Sequence, residues 1–84
     1  MDTLTDERLE REFNVTEKAL KNTKIKIKKN DANYGHALKF LDTAKRYYED
    51  AKYFKQKNDK ASAFGALNYA FGWIDAGKEV GLLE

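Results

Sequence analysis

Apolar positions recur along this chain with a helical period in three stretches, and the third is the most marked. In residues 61–74, Phe64, Leu67, Phe71 and Ile74 repeat at spacings of 3, 4 and 3. Ala63, Ala66, Ala70, Trp73 and Gly77 repeat beside them at 3, 4, 3 and 4. Two adjacent apolar stripes on one helix make a face wide enough to pack against two other helices at once. The run from Ala61 to Ile74 carries no charge, although charged residues make up 36% of the chain.

The first stretch predicts a helix over residues 5–29, with Thr5 or Asp6 as its cap. Leu9, Phe13, Thr16, Leu20, Thr23 and Ile27 follow a heptad spacing through it. The second predicts a helix over residues 34–57, in which Ala37, Phe40, Ala44, Tyr47, Ala51 and Phe54 recur at 3 and 4. The third helix covers residues 60–79, with Asp59 as N-cap and Gly77 and Gly81 as candidate stops. Asn30, Asp31 and Asn33 mark one turn and Lys57, Asn58 and Asp59 the other. A tight first turn makes helices one and two antiparallel neighbours. The expected fold is all-α, a three-helix antiparallel up-and-down bundle filling residues 1–84 as one domain, with Leu82 and Leu83 closing its open end.

Composition narrows this picture. There is no proline to interrupt a helix and no cysteine to form a disulfide or a thiolate metal site. No apolar run approaches the roughly 18 residues of a membrane span, and the start is charged and acidic, so a cytoplasmic protein without a membrane partner is expected.

Charge is segregated. Residues 1–17 hold six acids and two bases, whereas residues 18–29 hold six lysines and no acid. Acid at the start of a helix and base at its end suits the helix dipole. The acidic start of helix one also faces the basic end of helix two, Lys52, Lys55 and Lys57. The other reading of Lys18, Lys21, Lys24, Lys26, Lys28 and Lys29 is a nucleic-acid or lipid-headgroup patch, with Lys39 and Lys45 joining the nucleic-acid reading. Aromatic stacking platforms do not accompany it.

On a helical wheel, Ala63, Leu67, Ala70 and Ile74 centre the inward face of helix three. The outward strip is Ala61, Gly65, Asn68, Gly72 and Ala76, flanked by Tyr69 and Trp73. A solvated strip normally carries Lys and Glu. Each interior glycine costs a helix about 1 kcal/mol relative to alanine, so two of them need a reason. Either another helix packs closely there, or the glycines relieve crowding against helices one and two.

Candidates for chemistry are few. His36 is the only histidine and Ser62 the only serine. One histidine without cysteine makes no metal site, and the sequence places no base beside Ser62. Asp75, at the rim of the apolar run, reads as a capping or pairing carboxylate. Tyr47, Tyr48 and Phe54 fall on the core side of helix two, and Tyr53 points away. No catalytic residue, cofactor site or metal site is expected.

The second half resembles a known family. Tyr48-x-Asp50-Ala51-x-Tyr53-Phe54, then Asn68-Tyr69-Ala70, then Gly72-Trp73-Ile74-Asp75-Ala76-Gly77, then Gly81-Leu82-Leu83 look like the signature of an archaeal uncharacterised family, domain of unknown function 357. Position 71, often histidine in that pattern, is Phe71 here. The resemblance implies a three-helix bundle in a cytoplasmic archaeal protein and no assigned activity. The expected function is that of a small non-enzymatic protein–protein interaction module, self-associating or docking on a larger protein through helix three. The alternative is a nucleic-acid-associated protein using the lysine-rich segment.

Overall fold

Three helices form where the apolar period is helical: α1 Asp6–Asn22, α2 Tyr34–Gln56 and α3 Lys60–Glu79. The computed structural model describes residues 4–84; Met1 to Thr3, the first part of the acidic start, lie outside them. The helices make a three-helix bundle 46 Å long and about 20 Å across. α3 is the central element. It packs along α2 for most of its length and also against α1, while α1 and α2 touch each other little.

The seam between α2 and α3 is built of small residues. Ala37, Ala44 and Ala51 lie seven apart on α2, and Ala63 and Ala70 seven apart on α3; all five are fully buried. Side chains this short let two helix backbones approach closely. The larger core residues fill the angle where α1 joins them: Leu9 and Phe13 from α1 meet Ala51, Ala63, Ala66 and Leu67, with Tyr48, Phe54 and Phe64 packed around. Thr16 and Thr43 are buried as well.

Up-and-down order shows in the ion pairs. Lys60 at the start of α3 reaches Asp6 at the start of α1 at 2.9 Å, and Lys55 near the end of α2 reaches Glu10 at 2.7 Å. Asp6 and Glu10 of the acidic start are therefore paired to the neighbouring helices at the bundle surface, as the charge pattern anticipates.

Caps fix the ends. Thr5 accepts from the Arg8 N–H at 3.1 Å and Asp59 from the Ser62 N–H at 3.1 Å. α2 ends with Asn58 at φ 59°, the Asp59 N–H donating to the Phe54 carbonyl at 2.9 Å and the Asn58 N–H to that of Lys55 at 3.1 Å. This is a Schellman closure, with asparagine in the left-handed position usually held by glycine. α3 ends the same way. Gly81 has φ 79°, the Leu82 N–H bonds to the Gly77 carbonyl at 2.9 Å, and the Gly81 N–H to that of Lys78 at 3.1 Å. Gly81, not Gly77, is thus the stop.

Two of the caps and pairs titrate. The hydrogen bond and charge of Lys60 hold the Asp6 carboxyl below its ordinary 3.8, and the hydrogen bonds from Ser62 do the same for Asp59. A carboxylate depressed on folding contributes stability above its unfolded value and loses it as pH falls through the folded one. The Asp6→Asn/Asp59→Asn double variant should therefore show a shallower fall in stability between about pH 4 and about pH 2 than the parent. Urea titrations across that window measure it, and parallel acid limbs would contradict it.

Helix one departs from the sequence expectation. It stops at Asn22, not at 29, and eleven residues, 23–33, connect it to α2 in place of a tight turn. Lys24 to Lys26 run alongside the tail, and the chain bends at Ile27. The Lys24 N–H donates to the Glu84 carbonyl, the Glu84 N–H to that of Lys24, and the Lys26 N–H to that of Leu82, each at 2.9 Å. Ile25 and Leu83 form an isolated antiparallel bridge between them. Leu83 is 2% exposed, so the tail does close the end of the bundle. It does so by capturing a segment expected to be helical. Gly77 is part of that closure: a Cβ there would collide with the Leu83 side chain.

Candidate protein-docking surface on the third helix

The solvent side of α3 follows from its buried side. With Ala63, Leu67, Ala70 and Ile74 inward, the outward positions are Ala61, Gly65, Asn68, Gly72 and Ala76. All are exposed except Gly65, which is half-buried. Nothing lies within 4 Å of a Cβ built on Gly65 or on Gly72. The two glycines therefore relieve no crowding inside the bundle, which removes one of the two explanations for them.

Grooves flank the strip. Between α2 and α3, Phe40, Asn68, Tyr69, Gly72, Trp73 and Ala76 line a shallow, mostly apolar depression with no charged side chain. Its walls are ring pairs. Phe40 meets Trp73 edge-on at 5.0 Å between centroids, and Tyr47 stacks on Tyr69 at 5.2 Å and 21°. Tyr69 is 63% exposed all the same, while Trp73 is half-buried. On the other side, Glu12 and Val15 of α1 face Phe71 and Asp75 of α3 across a second depression. Val15 is exposed, and so is Val80 just beyond α3.

The structure thus gathers the seven sequence-derived strip residues on one face and adds Phe40 and Tyr47 to it. Sequence reasoning assigned both of these to the core. They lie seven apart on α2, and the antiparallel run of α3 sets them opposite Trp73 and Tyr69. The pairing is visible only once the two helices are aligned. Tyr48 and Phe54 are half-buried against the core cluster, and Tyr53 is exposed, as expected. Burial, with the charge of Glu17 second, raises the Tyr48 phenol above its ordinary 10.0.

The lysines are distributed differently from expectation. Only Lys18 and Lys21 stand on α1; Lys24, Lys26, Lys28 and Lys29 lie in the connection beyond it. Lys21 pairs with Glu17 at 3.2 Å. The α1 dipole consequently accounts for Lys21 in its last turn and not for the four lysines past its end.

Among the described residues no group of three or more His, Asp or Glu side chains is placed to hold a metal ion. His36 and Asp75 are exposed. The Ser62 backbone N–H is taken up by the Asp59 cap. No helix among the described residues is long and apolar enough to cross a membrane.

Residues 11–83 match the family described as protein of unknown function, DUF357. The chain belongs to this family. No curated protein and no solved structure matches it. The DUF357 match takes in all of α2 and α3, the tail as far as Leu83, and α1 from Arg11 onward. It therefore includes the aromatic groove, the glycine strip and the bridge between Ile25 and Leu83.

Proposed function

We propose that this DUF357 protein is a non-enzymatic interaction module that self-associates, α3 against α3 of a second copy in antiparallel orientation. The observation that carries the reading is the glycine strip open to solvent: a Cβ added at Gly65 or Gly72 would meet nothing within 4 Å. A helix that gives up about 2 kcal/mol of intrinsic propensity at two such positions gains most from that choice if another backbone packs there.

Three features favour a second copy as the occupant. The strip is self-complementary: about a point between Asn68 and Tyr69, Ala61 pairs with Ala76 and Gly65 with Gly72. A two-fold contact requires one patch that matches itself in this way. Charge agrees with the antiparallel sense. Asp75 and Glu79 lie toward the C-terminal end of the strip, while Lys57 and the positive pole of the helix lie at its start. A parallel partner would oppose acid to acid. Finally, the strip is about 22 Å long by helix rise. Across the 20 Å width of the bundle it offers roughly 450 Å² per copy, at the small end of specific interfaces. The dimer is then expected to form at tens of micromolar, roughly, rather than nanomolar.

Sedimentation equilibrium over a concentration series tests this. The wild type should shift from monomer to dimer, and Gly72→Leu should remain monomeric while its monomer becomes about 1 kcal/mol more stable, because leucine is the better helix former. Cysteine pairing tests the register in a chain with no cysteine of its own. Asn68→Cys, beside the two-fold axis, should oxidise to a covalent dimer. Ala76→Cys alone should not, since two copies of that position lie about 22 Å apart, beyond disulfide reach. Ala76→Cys dimers without Asn68→Cys dimers would overturn the antiparallel arrangement. A monomer at every concentration would overturn self-association and leave the strip to a different protein.

A further inference from the structure

We propose that the connection between α1 and α2 is a binding site for the phosphate backbone of duplex nucleic acid. It is separate from the α3 strip and does not depend on dimer formation. Six lysines and no acid lie in residues 18–29; the rest of the chain, with ten bases and fourteen acids, carries −4. Positive charge is thus concentrated at one end of an otherwise acidic molecule, a distribution that steers and orients a polyanion. The structure removes the internal explanation for it. Lys24, Lys26, Lys28 and Lys29 lie beyond the helix whose dipole they would complement, and among the described residues Lys21 is the only one of the six in an ion pair. Asp31, Glu79 and Glu84 form no ion pair with these lysines.

The segment is also held in shape. Exposed lysines alternate with half-buried isoleucines from Lys24 to Lys28, and the tail fixes the backbone of Lys24 and Lys26 by three hydrogen bonds. Extended backbone rises about 3.3 Å per residue, so Lys24 and Lys26, on either side of the bridged Ile25, stand about 7 Å apart. Each strand of a duplex carries one phosphate per roughly 3.4 Å of axis. Successive phosphates wind around that axis and stand about 7 Å apart in space, so Lys24 and Lys26 can meet two neighbouring phosphates of one strand with little loss of chain entropy.

Other polyanions fit less well. Single strands are usually gripped by exposed aromatic rings, and none accompanies these lysines. A membrane surface calls for apolar residues beside the charge, whereas Ile25 and Ile27 turn toward the bundle. With no donor arranged to read base edges, recognition is expected to be independent of sequence.

Fluorescence anisotropy with labelled 20-base-pair DNA duplexes of two unrelated sequences is the test. At about 50 mM salt both should bind with a dissociation constant on the order of 10 µM. About five phosphate contacts would weaken binding roughly 500-fold between about 50 and 200 mM salt. Lys24→Glu/Lys26→Glu should lower affinity at least roughly 30-fold, and Lys28→Glu/Lys29→Glu, outside the bridged residues, should lower it comparably. Lys52→Glu/Lys57→Glu, with the same charge change at the opposite end of the bundle, should lower it only about threefold. Circular dichroism verifies that each variant is folded. The site is overturned if the three double variants lose affinity equally, if the single strand binds about tenfold better than the duplex, or if phosphatidylserine vesicles bind and the duplex does not.

Discussion

Replacing Leu83 by alanine is expected to lower the stability of the protein by about 3 kcal/mol, within the range for buried leucines. Leu83 is 2% exposed, although it lies outside the three helices. Here it is a core residue. Its side chain rests on Gly77, which has no Cβ to obstruct it, and its backbone sits between the residues that pair with Lys24 and Lys26. Removing three carbons leaves a cavity at the junction of α3, the tail and the connection. A domain of this size has net stability of about 5 to 8 kcal/mol, so the loss is a large share of the total. Urea unfolding followed at 222 nm measures it. Hydrogen exchange adds a local readout: the Lys24, Lys26 and Glu84 amides should lose protection before those of α3. A loss under about 1 kcal/mol with protection retained would mean that the tail is an ornament on a bundle closed by other residues. Gly77→Ala should act on the same contact from the other side, because its new methyl meets the Leu83 side chain.

The second large effect lies at the α2–α3 seam. Ala70→Leu should destabilise the fold by about 2 to 3 kcal/mol and lower the unfolding temperature by roughly 15 °C. Ala70 is fully buried, in a seam lined by Ala37, Ala44, Ala51 and Ala63. A leucine there must push α2 and α3 apart along most of their shared length or take a strained rotamer. Gly72→Leu, two residues further on, should have the opposite sign, since its side chain enters open space. Leucine introduced on two faces of one helix thus separates a packed seam from an exposed strip. Thermal unfolding of the two variants side by side decides it. Equal stability for Ala70→Leu and wild type would mean that the seam has room the structure does not show.

Much of this fold was legible in the residues alone. The double apolar stripe of α3 announced a helix packed on two neighbours, and it is packed on two neighbours. Asp59 and Thr5 were readable as caps because a side-chain oxygen at that place satisfies an otherwise unpaired N–H. Acid at the start of α1 and base at the end of α2 foretold pairs such as Lys55 with Glu10. The strip on α3 was legible too, because once the inward face is placed the outward one follows from the 3.6-residue turn.

The end of α1 was not. Thr16, Leu20, Thr23 and Ile27 continue a heptad, while Lys24 to Lys28 alternate with period two, the signature of a strand. Both patterns run through the same residues, and local preference does not choose between them. Thr23 is buried as the C-cap of α1, its hydroxyl bonded to the Ala19 carbonyl. The choice was made by residues some sixty positions away. Gly81 turns the chain through a left-handed conformation, Gly77 leaves space for Leu83, and the tail then offers Lys24 and Lys26 hydrogen-bond partners that a continued helix would have supplied from within. The aromatic groove has the same origin. Phe40 and Tyr47 belong to it because antiparallel packing on α3 brings them to Trp73 and Tyr69. Periodicity and capping chemistry are local, so the helices, their inward faces and most of their ends follow from the residues in each segment. Where α1 stops and which side chains share the groove depend on contacts between distant segments, which exist only in the folded chain.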